Sequence, residues 1–269
     1  MRTRRRLWVH APLAVVAAVT VFPFFVMVVL SLQKGHALSL PGSLLPTHIN
    51  FGAYRDALAS GDVPRWLANT AIYAVTSVVL VLLFASVAAY AFAKKRFFGR
   101  TLLFWTFVAM LMVPYHLTLI PQFILMRNLN LIDTLPGLIL PTLANAQALF
   151  LMRQFIRGIP DELIEAARID GAGELRVFFR IVLPQCKPIL ATLGVFVFLW
   201  HWNDFLWPLV AMQSPDHYTL TVGLASLQAQ QTSLAVTMAA AVVTFLPILV
   251  VYLALQRYFV RGVTMTGLK

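Results

Sequence analysis

Six long apolar stretches, at about 7–32, 68–93, 101–121, 135–157, 189–212 and 233–256, decide what this chain can fold into. A bilayer's hydrocarbon core is about 30 Å thick and takes roughly 20 apolar residues to cross as a helix. Sixty per cent of the residues are apolar, 12% are charged, and the mean hydropathy is +0.80. A soluble domain of this length carries about twice that charge. Pro12, Pro23, Pro114, Pro141, Pro208 and Pro247 fall inside the stretches. Spanning helices tolerate them because neighbours re-satisfy the freed carbonyls. The first stretch follows a basic start, Met1–Arg6, and is too long for a cleaved signal, so it predicts an uncleaved signal-anchor helix.

The basic residues order these spans. With the N-terminus in the cytoplasm, only Lys34, Arg55, Arg65 and Arg127 of the 21 Lys and Arg residues fall outside. The rest gather at the start, in the inner loop 94–100, at Arg153 and Arg157 with the inner loop 158–188, and after residue 256. An inside excess of Lys and Arg sets orientation. The net charge of +11 is therefore a topology signal and not a nucleic-acid patch. The expected fold is an all-α membrane protein of six transmembrane helices, one domain over 1–269, with both termini cytoplasmic. Span 1 is expected to pack outside a core of spans 2 to 6. A single cysteine, Cys186, excludes an intrachain disulfide and reads as a buried reduced thiol.

Between spans 4 and 5 lies an ordered-looking polar insert, PDELIEAARIDGAGELRVFFRIVLPQCKP at 160–188. Pro160 suits a helix start, and Asp161 and Glu162 complement the dipole of the first turn. Leu163, Ala166 and Ala167 then follow at i, i+3, i+4 spacing, Arg168 occupies the last turn, and Gly171 breaks the helix. Small side chains let another backbone approach closely, so this surface suits a soluble partner's cleft and can carry rigid-body force. On the other side, Phe51, Tyr54 and Leu58 predict a short amphipathic surface helix, either a docking site for an external partner or a cap on the bundle.

Only one of the ten acidic residues, Asp204, falls inside a span. A carboxylate there costs at least ~2.5–3.5 kcal/mol, so it should face protein or water. Pro208, four residues on, removes the hydrogen bond to the Asp204 carbonyl and predicts a local break. Trp200, Trp202, Phe205 and Trp207 flank it, beside Asn203. Aromatic faces with amide and carboxylate acceptors suit a sugar, whereas an interfacial aromatic belt explains the tryptophans alone. Asn145, Trp200, Asn203, Asp204 and Trp207 are the candidate translocation residues. No phosphate loop, H-E-x-x-H, G-x-S-x-G or cysteine pair is present, so neither ATP hydrolysis nor protease or metal chemistry is expected of this chain. A stand-alone ion-coupled transporter expects several intramembrane acids and internal symmetry. One acid and no visible repeat count against it.

Glu165-Ala166-Ala167, Asp170-Gly171-Ala172, Phe178, Ile181, Leu183-Pro184 and Pro188 resemble the EAA loop of binding-protein-dependent ABC importer permeases. Asn50-Phe51 with Tyr54, Trp66 with Asn69-Thr70, Pro114 with Ile120-Pro121, Trp202 to Pro208, and Gln256 to Gly262 resemble the carbohydrate branch, in its shorter, maltose-type subunit. The resemblance implies a type I importer permease fold in a bacterial or archaeal cytoplasmic membrane. It implies four kinds of partner: a second, different permease subunit, two cytoplasmic ABC ATPase subunits that hold ATP and Mg, an extracytoplasmic solute-binding protein, and the lipid bilayer. The ATPase-coupling residues it implies are Glu162, Leu163, Glu165, Ala166, Ala167, Arg168, Asp170 and Gly171. The chain itself is expected to bind no cofactor. Its short basic tail either reaches the ATPase or anchors the last span.

Overall fold

The structure, a computed structural model, describes residues 2–33, 49–59, 62–230 and 232–265, with backbone alone for 2–9 and 255–265. The tail's two readings, contact with an ATPase or anchoring of the last span, therefore fall outside the described side chains. Among the described residues all regular structure is helical. Three helices are long and apolar enough to cross a bilayer by themselves: α1 (Arg2–Ser31), α3 (Asp62–Lys94) and α14 (Leu234–Met265). Three bent pairs bring the number of candidate spans to six.

The third and fourth stretches are broken where the sequence predicted continuous spans, and the fifth is broken beside Asp204, where Pro208 predicted it. α4 (Arg100–Ala109) runs through a 3-10 turn to Met112, and α5 (Tyr115–Asn128) leaves it at 107°. Pro114 causes the turn: it has no N–H to give and pushes Val113 to extended backbone, φ −80° and ψ 119°. α6 (Leu135–Ile139), extended by a 3-10 turn to Thr142, meets α7 (Ala146–Arg157) at 48°. Here Asn145 takes extended backbone and its side chain accepts from the Ala148 amide at 2.8 Å, a cap on the new helix. The fifth stretch is helical as α11 (Lys187–Trp202), stops at Asn203–Phe205, and resumes as α12 (Leu206–Ala211).

The insert folds as α8 (Asp161–Ile169), α9 (Glu174–Val177) continuing into a π-turn at Phe178–Val182, and α10 (Leu183–Gln185). On the opposite end of the bundle lie α2 (Gly52–Ala59) and α13 (Leu220–Ala229). α2 buries Ala53 and Ala57 against the bundle, Ala53 beside Ala235 and Ala239 of α14, which makes it a cap. α1 packs on α14, with the Phe24 and Phe245 rings 4.6 Å apart, and leaves most of its own surface exposed. Cys186 is fully buried, as expected of a structural thiol.

α3 is the spine. It contributes Val81, Ala85, Ala89, Tyr90 and Phe92 to the core at the insert end, Tyr73 to the mid-bundle core, and Val63, Trp66 and Ala74 to the core at the far end. At the far end it is laced to the segment before α13. Trp66 Nε1 donates to the Pro215 carbonyl at 2.9 Å, and Asn69 Nδ2 donates to the carbonyls of Asp216 and Tyr218. Thr70 Oγ1 accepts from the Leu220 amide at 2.8 Å, and Arg65 pairs with Asp216. Gly223 of α13 lies so close to Trp66 that a Cβ there would stand 2.0 Å from the indole. A neighbouring clip joins the α5–α6 loop to the same segment: the Asp133 carboxylate accepts from the amides of Gln213 and Ser214, the Ser214 hydroxyl and His217.

Two outcomes test this end of the molecule. Gly223→Ala should destabilise the purified protein by about 1–3 kcal/mol, the usual penalty of overpacking, with partial recovery on adding Trp66→Leu; thermal unfolding in detergent reads both. The second concerns Asp133, whose carboxyl burial alone would raise. The hydrogen bonds from Ser214, Gln213 and His217 outweigh burial and hold it below its ordinary value. A depressed carboxyl lends stability that is complete above its unfolded pKa near about 3.9 and is lost as pH falls through the lower folded value. The native chain should therefore lose melting temperature more steeply than Asp133→Asn between about pH 5 and pH 3.

Candidate functional site

Two regions bring the predicted site residues together. The first is the insert. Pro160 precedes α8, Asp161 and Glu162 fill its first turn, and Arg168 its last. Its end is closed by a pair of backbone bonds: the Gly171 amide reaches the Arg168 carbonyl at 3.0 Å, and the Ala172 amide reaches the Ala167 carbonyl at 2.9 Å. That geometry needs a left-handed residue, and Gly171 supplies it at φ +79°. No atom lies within 4 Å of where its Cβ would be, so a side chain there meets backbone strain and no neighbour.

The face α8 presents differs from the expected one. Ala167 turns inward with Ile164, both buried in the core with Val177, Phe178, Met152 and Ile156. Leu163 and Ala166 stay exposed, joined by Ile169, which is 87% exposed. Helical neighbours lie three and four residues apart. The outward apolar stripe is therefore Leu163–Ala166–Ile169, with Glu162, Glu165, Arg168 and Asp170 also outside. Ile169 was missed because it falls one step before the polar Asp170-Gly171 break and reads there as a helix end.

The insert is tied to α3 by charge. Lys94 donates to Asp161 at 2.7 Å and to the Ile159 carbonyl. Glu174, at the start of α9, pairs with Lys95 and with Arg168 (3.0 Å), and accepts from the Tyr90 hydroxyl at 3.0 Å. Lys95 foremost, helped by Tyr90 and Arg168 against the opposing effect of burial, holds the Glu174 carboxyl below its ordinary value. The Lys95 ammonium also lies 5.2 Å from the centre of the Tyr90 ring. Lys94, Lys95, Asp161, Arg168 and Glu174 line a half-open cleft of about 700 Å³ between the end of α3 and α8, where Arg96, Arg100 and Glu165 also contribute. Sequence reasoning had set Glu174 down as one more loop acid.

The second region is the break at Asn203–Phe205. The Asp204 carboxylate accepts from the Tyr73 hydroxyl at 2.9 Å, and its freed carbonyl accepts from Thr221 Oγ1 at 2.6 Å. Trp200 (60% exposed) and Asn203 face outward, and the Trp200 ring meets Tyr115 of α5 edge-on at 6.3 Å. Asp204 lies half-buried behind them. Trp200, Asn203, Asp204 and Tyr115 thus share one polar-aromatic surface. Tyr73 and Tyr115 escaped the sequence reading because each lies far from Asp204 along the chain.

Two expected residues are elsewhere. Trp207 is 0% exposed, and its indole N–H donates to the Leu138 carbonyl at 3.2 Å inside the bundle. Trp202 is likewise buried and donates to the Thr244 carbonyl. Neither indole reaches the chain's surface. Asn145 spends its side-chain oxygen on capping α7. His201 is buried beside Tyr73, with ring centroids 5.0 Å apart and Nδ1 2.7 Å from the Val197 carbonyl.

Residues 81–265 match the family described as the binding-protein-dependent transport system inner membrane component. The chain is similar to the arabinooligosaccharides transport system permease protein of Halalkalibacterium halodurans, 36% identical over 95% of this chain and 94% of that one. It is similar to the diacetylchitobiose uptake system permease protein of Streptomyces coelicolor, 34% identical over 95% and 86%. The sn-glycerol-3-phosphate transport system permease protein of Yersinia pestis is 36% identical over 94% of each. Among solved structures, a chain of a bacterial ABC transporter that imports the acidic polysaccharide alginate superposes with a TM-score of 0.85 at 28% identity, covering 96% of this chain and 98% of that one. This multi-pass helical membrane protein belongs to the binding-protein-dependent transport system inner membrane components, the permeases of ABC importers.

Proposed function

We propose that this chain is one of two different permease subunits of an ATP-driven importer for a carbohydrate, whether sugar, oligosaccharide, amino sugar or polyol phosphate. It lies in a bacterial or archaeal cytoplasmic membrane with both termini inside, by the distribution of Lys and Arg. A binding protein outside delivers the solute, and two ATPase subunits inside hold and hydrolyse ATP with Mg. The observation that carries the reading is α8: an exposed stripe of Leu163, Ala166 and Ile169, closed by Gly171 and pinned to α3. A short rigid helix with one apolar face outward fits a cleft in a soluble partner and transmits push and pull. A flexible loop does not. ATPase closure moves α8, and the spans rock between inward- and outward-facing states. The named substrates of the relatives support the carbohydrate class. The surface formed by Trp200, Asn203, Asp204 and Tyr115 suits such a solute: ring faces stack on C–H faces, and the amide and carboxylate accept hydroxyl protons.

Gly171→Leu should leave the chain folded, since the added side chain meets no neighbour and left-handed backbone costs only about 1–2 kcal/mol. ATPase co-purified through a tag on this chain should nevertheless fall by about tenfold, a loss of 1.4 kcal/mol in docking. Full retention of an active ATPase would remove the coupling assignment. Asp204→Asn should assemble normally and lower uptake of the cognate sugar by about tenfold, as expected on losing one charge-assisted hydrogen bond. Unchanged uptake would take Asp204 out of the pathway.

A further inference from the structure

We propose that Glu174 is a positioning residue that fixes the register of the coupling insert against α3, so that a displacement of α8 carries α3 and the Asp204 break with it. The proposal rests on the reading of α8 as the ATPase-docking helix.

One carboxylate joins three elements. Its Oε1 takes Arg168 of α8, and its Oε2 takes Tyr90 of α3 and Lys95 just beyond α3. The other end of α8 is held separately, by Lys94 on Asp161 and on the Ile159 carbonyl. α8 is therefore tied at both ends to the last turns of α3. An apolar contact lies beneath, where the Phe178 ring meets Tyr90 at 5.4 Å between centroids and Ile164 and Ala167 belong to the same core. Apolar burial is non-directional. It keeps the insert on α3 but resists sliding poorly, whereas hydrogen-bonded ion pairs hold one alignment.

α3 is suited to pass the displacement on. It is one uninterrupted helix of 33 residues, about 50 Å long at 1.5 Å per residue. Along it stand Tyr90 at the insert end, Tyr73 on Asp204 in the middle, and Trp66, Asn69 and Thr70 on the 215–220 segment at the far end. α4–α5, α6–α7 and α9–α11 all bend at their breaks and absorb displacement. The Glu174 side chain is 56% exposed, and exposed ion pairs add little to stability. Its removal changes alignment and leaves the fold standing.

The test uses the complex purified through a tag on this chain, with a single reporter, Phe205→Cys, at the break. Cys186, fully buried, serves as the unlabelled background. Maleimide labelling of residue 205 is compared without nucleotide and with ATP plus vanadate, alongside ATP hydrolysis and ATPase subunit recovery. With Glu174 present, nucleotide should change the labelling rate. With Glu174→Gln, the ATPase should still co-purify and hydrolyse ATP, while that nucleotide-dependent change shrinks by about fivefold, the low end of coupling between distant sites. Glu174→Asp, which keeps the charge, should recover part of it. An undiminished change in Glu174→Gln overturns the proposal, and so does a parallel loss of ATPase recovery, which would make Glu174 a docking contact. Failure of the native chain to bring down any ATPase defeats the docking reading itself and is seen before any variant is made.

Discussion

A backbone break at membrane depth survives only where protein replaces the hydrogen bonds it frees. Each break here is met in its own way. Asn145 caps α7 with its own side chain. At Asn203–Phe205 the Thr221 hydroxyl takes the Asp204 carbonyl, and Tyr73 takes the carboxylate. The break at Pro114 costs less, because proline has no N–H to leave unpaired. These local substitutions accompany bends of 107° at Pro114 and 48° at Asn145. They also decide where polar side chains such as Asn203 and Asp204 reach the surface.

The unbroken helix at the centre of these contacts matters as much. α3 takes part in the cores at both ends and in the middle, and its polar residues contact the insert, the Asp204 break and the α12–α13 segment. An unbroken helix packed among bent ones divides the labour: stiffness in the continuous member, compliance in the bent ones. That arrangement suits a device in which energy enters at one end and a barrier changes in the middle.

Hydropathy made the six runs legible, because burial in lipid demands length and apolarity of every span whatever its neighbours. The start and stop of α8 were legible from Pro160, Asp161, Glu162 and Gly171, whose effects are local. The break near Asp204 followed from Pro208, though the partner on the carbonyl, Thr221, did not. What was lost was long-range. Spacing alone put Ala167 on the outer face of α8, while burial in the core that holds Val177, Phe178, Met152 and Ile156 turned it in and left Ile169 out. Trp207 looked like an aromatic wall, yet α12 is rotated to bury it under Leu138. Glu174 gained meaning only when folding brought Tyr90 and Lys95 beside it.

The absence of a Cβ at residue 223 has a reach beyond its own helix. Because the Trp66 indole fills that space, the two positions form one unit of inheritance. Descendants of this chain can enlarge one only after shrinking the other. Drift at the mouth of the bundle is thus confined to a narrow path, even though lipid-facing residues nearby are free to wander.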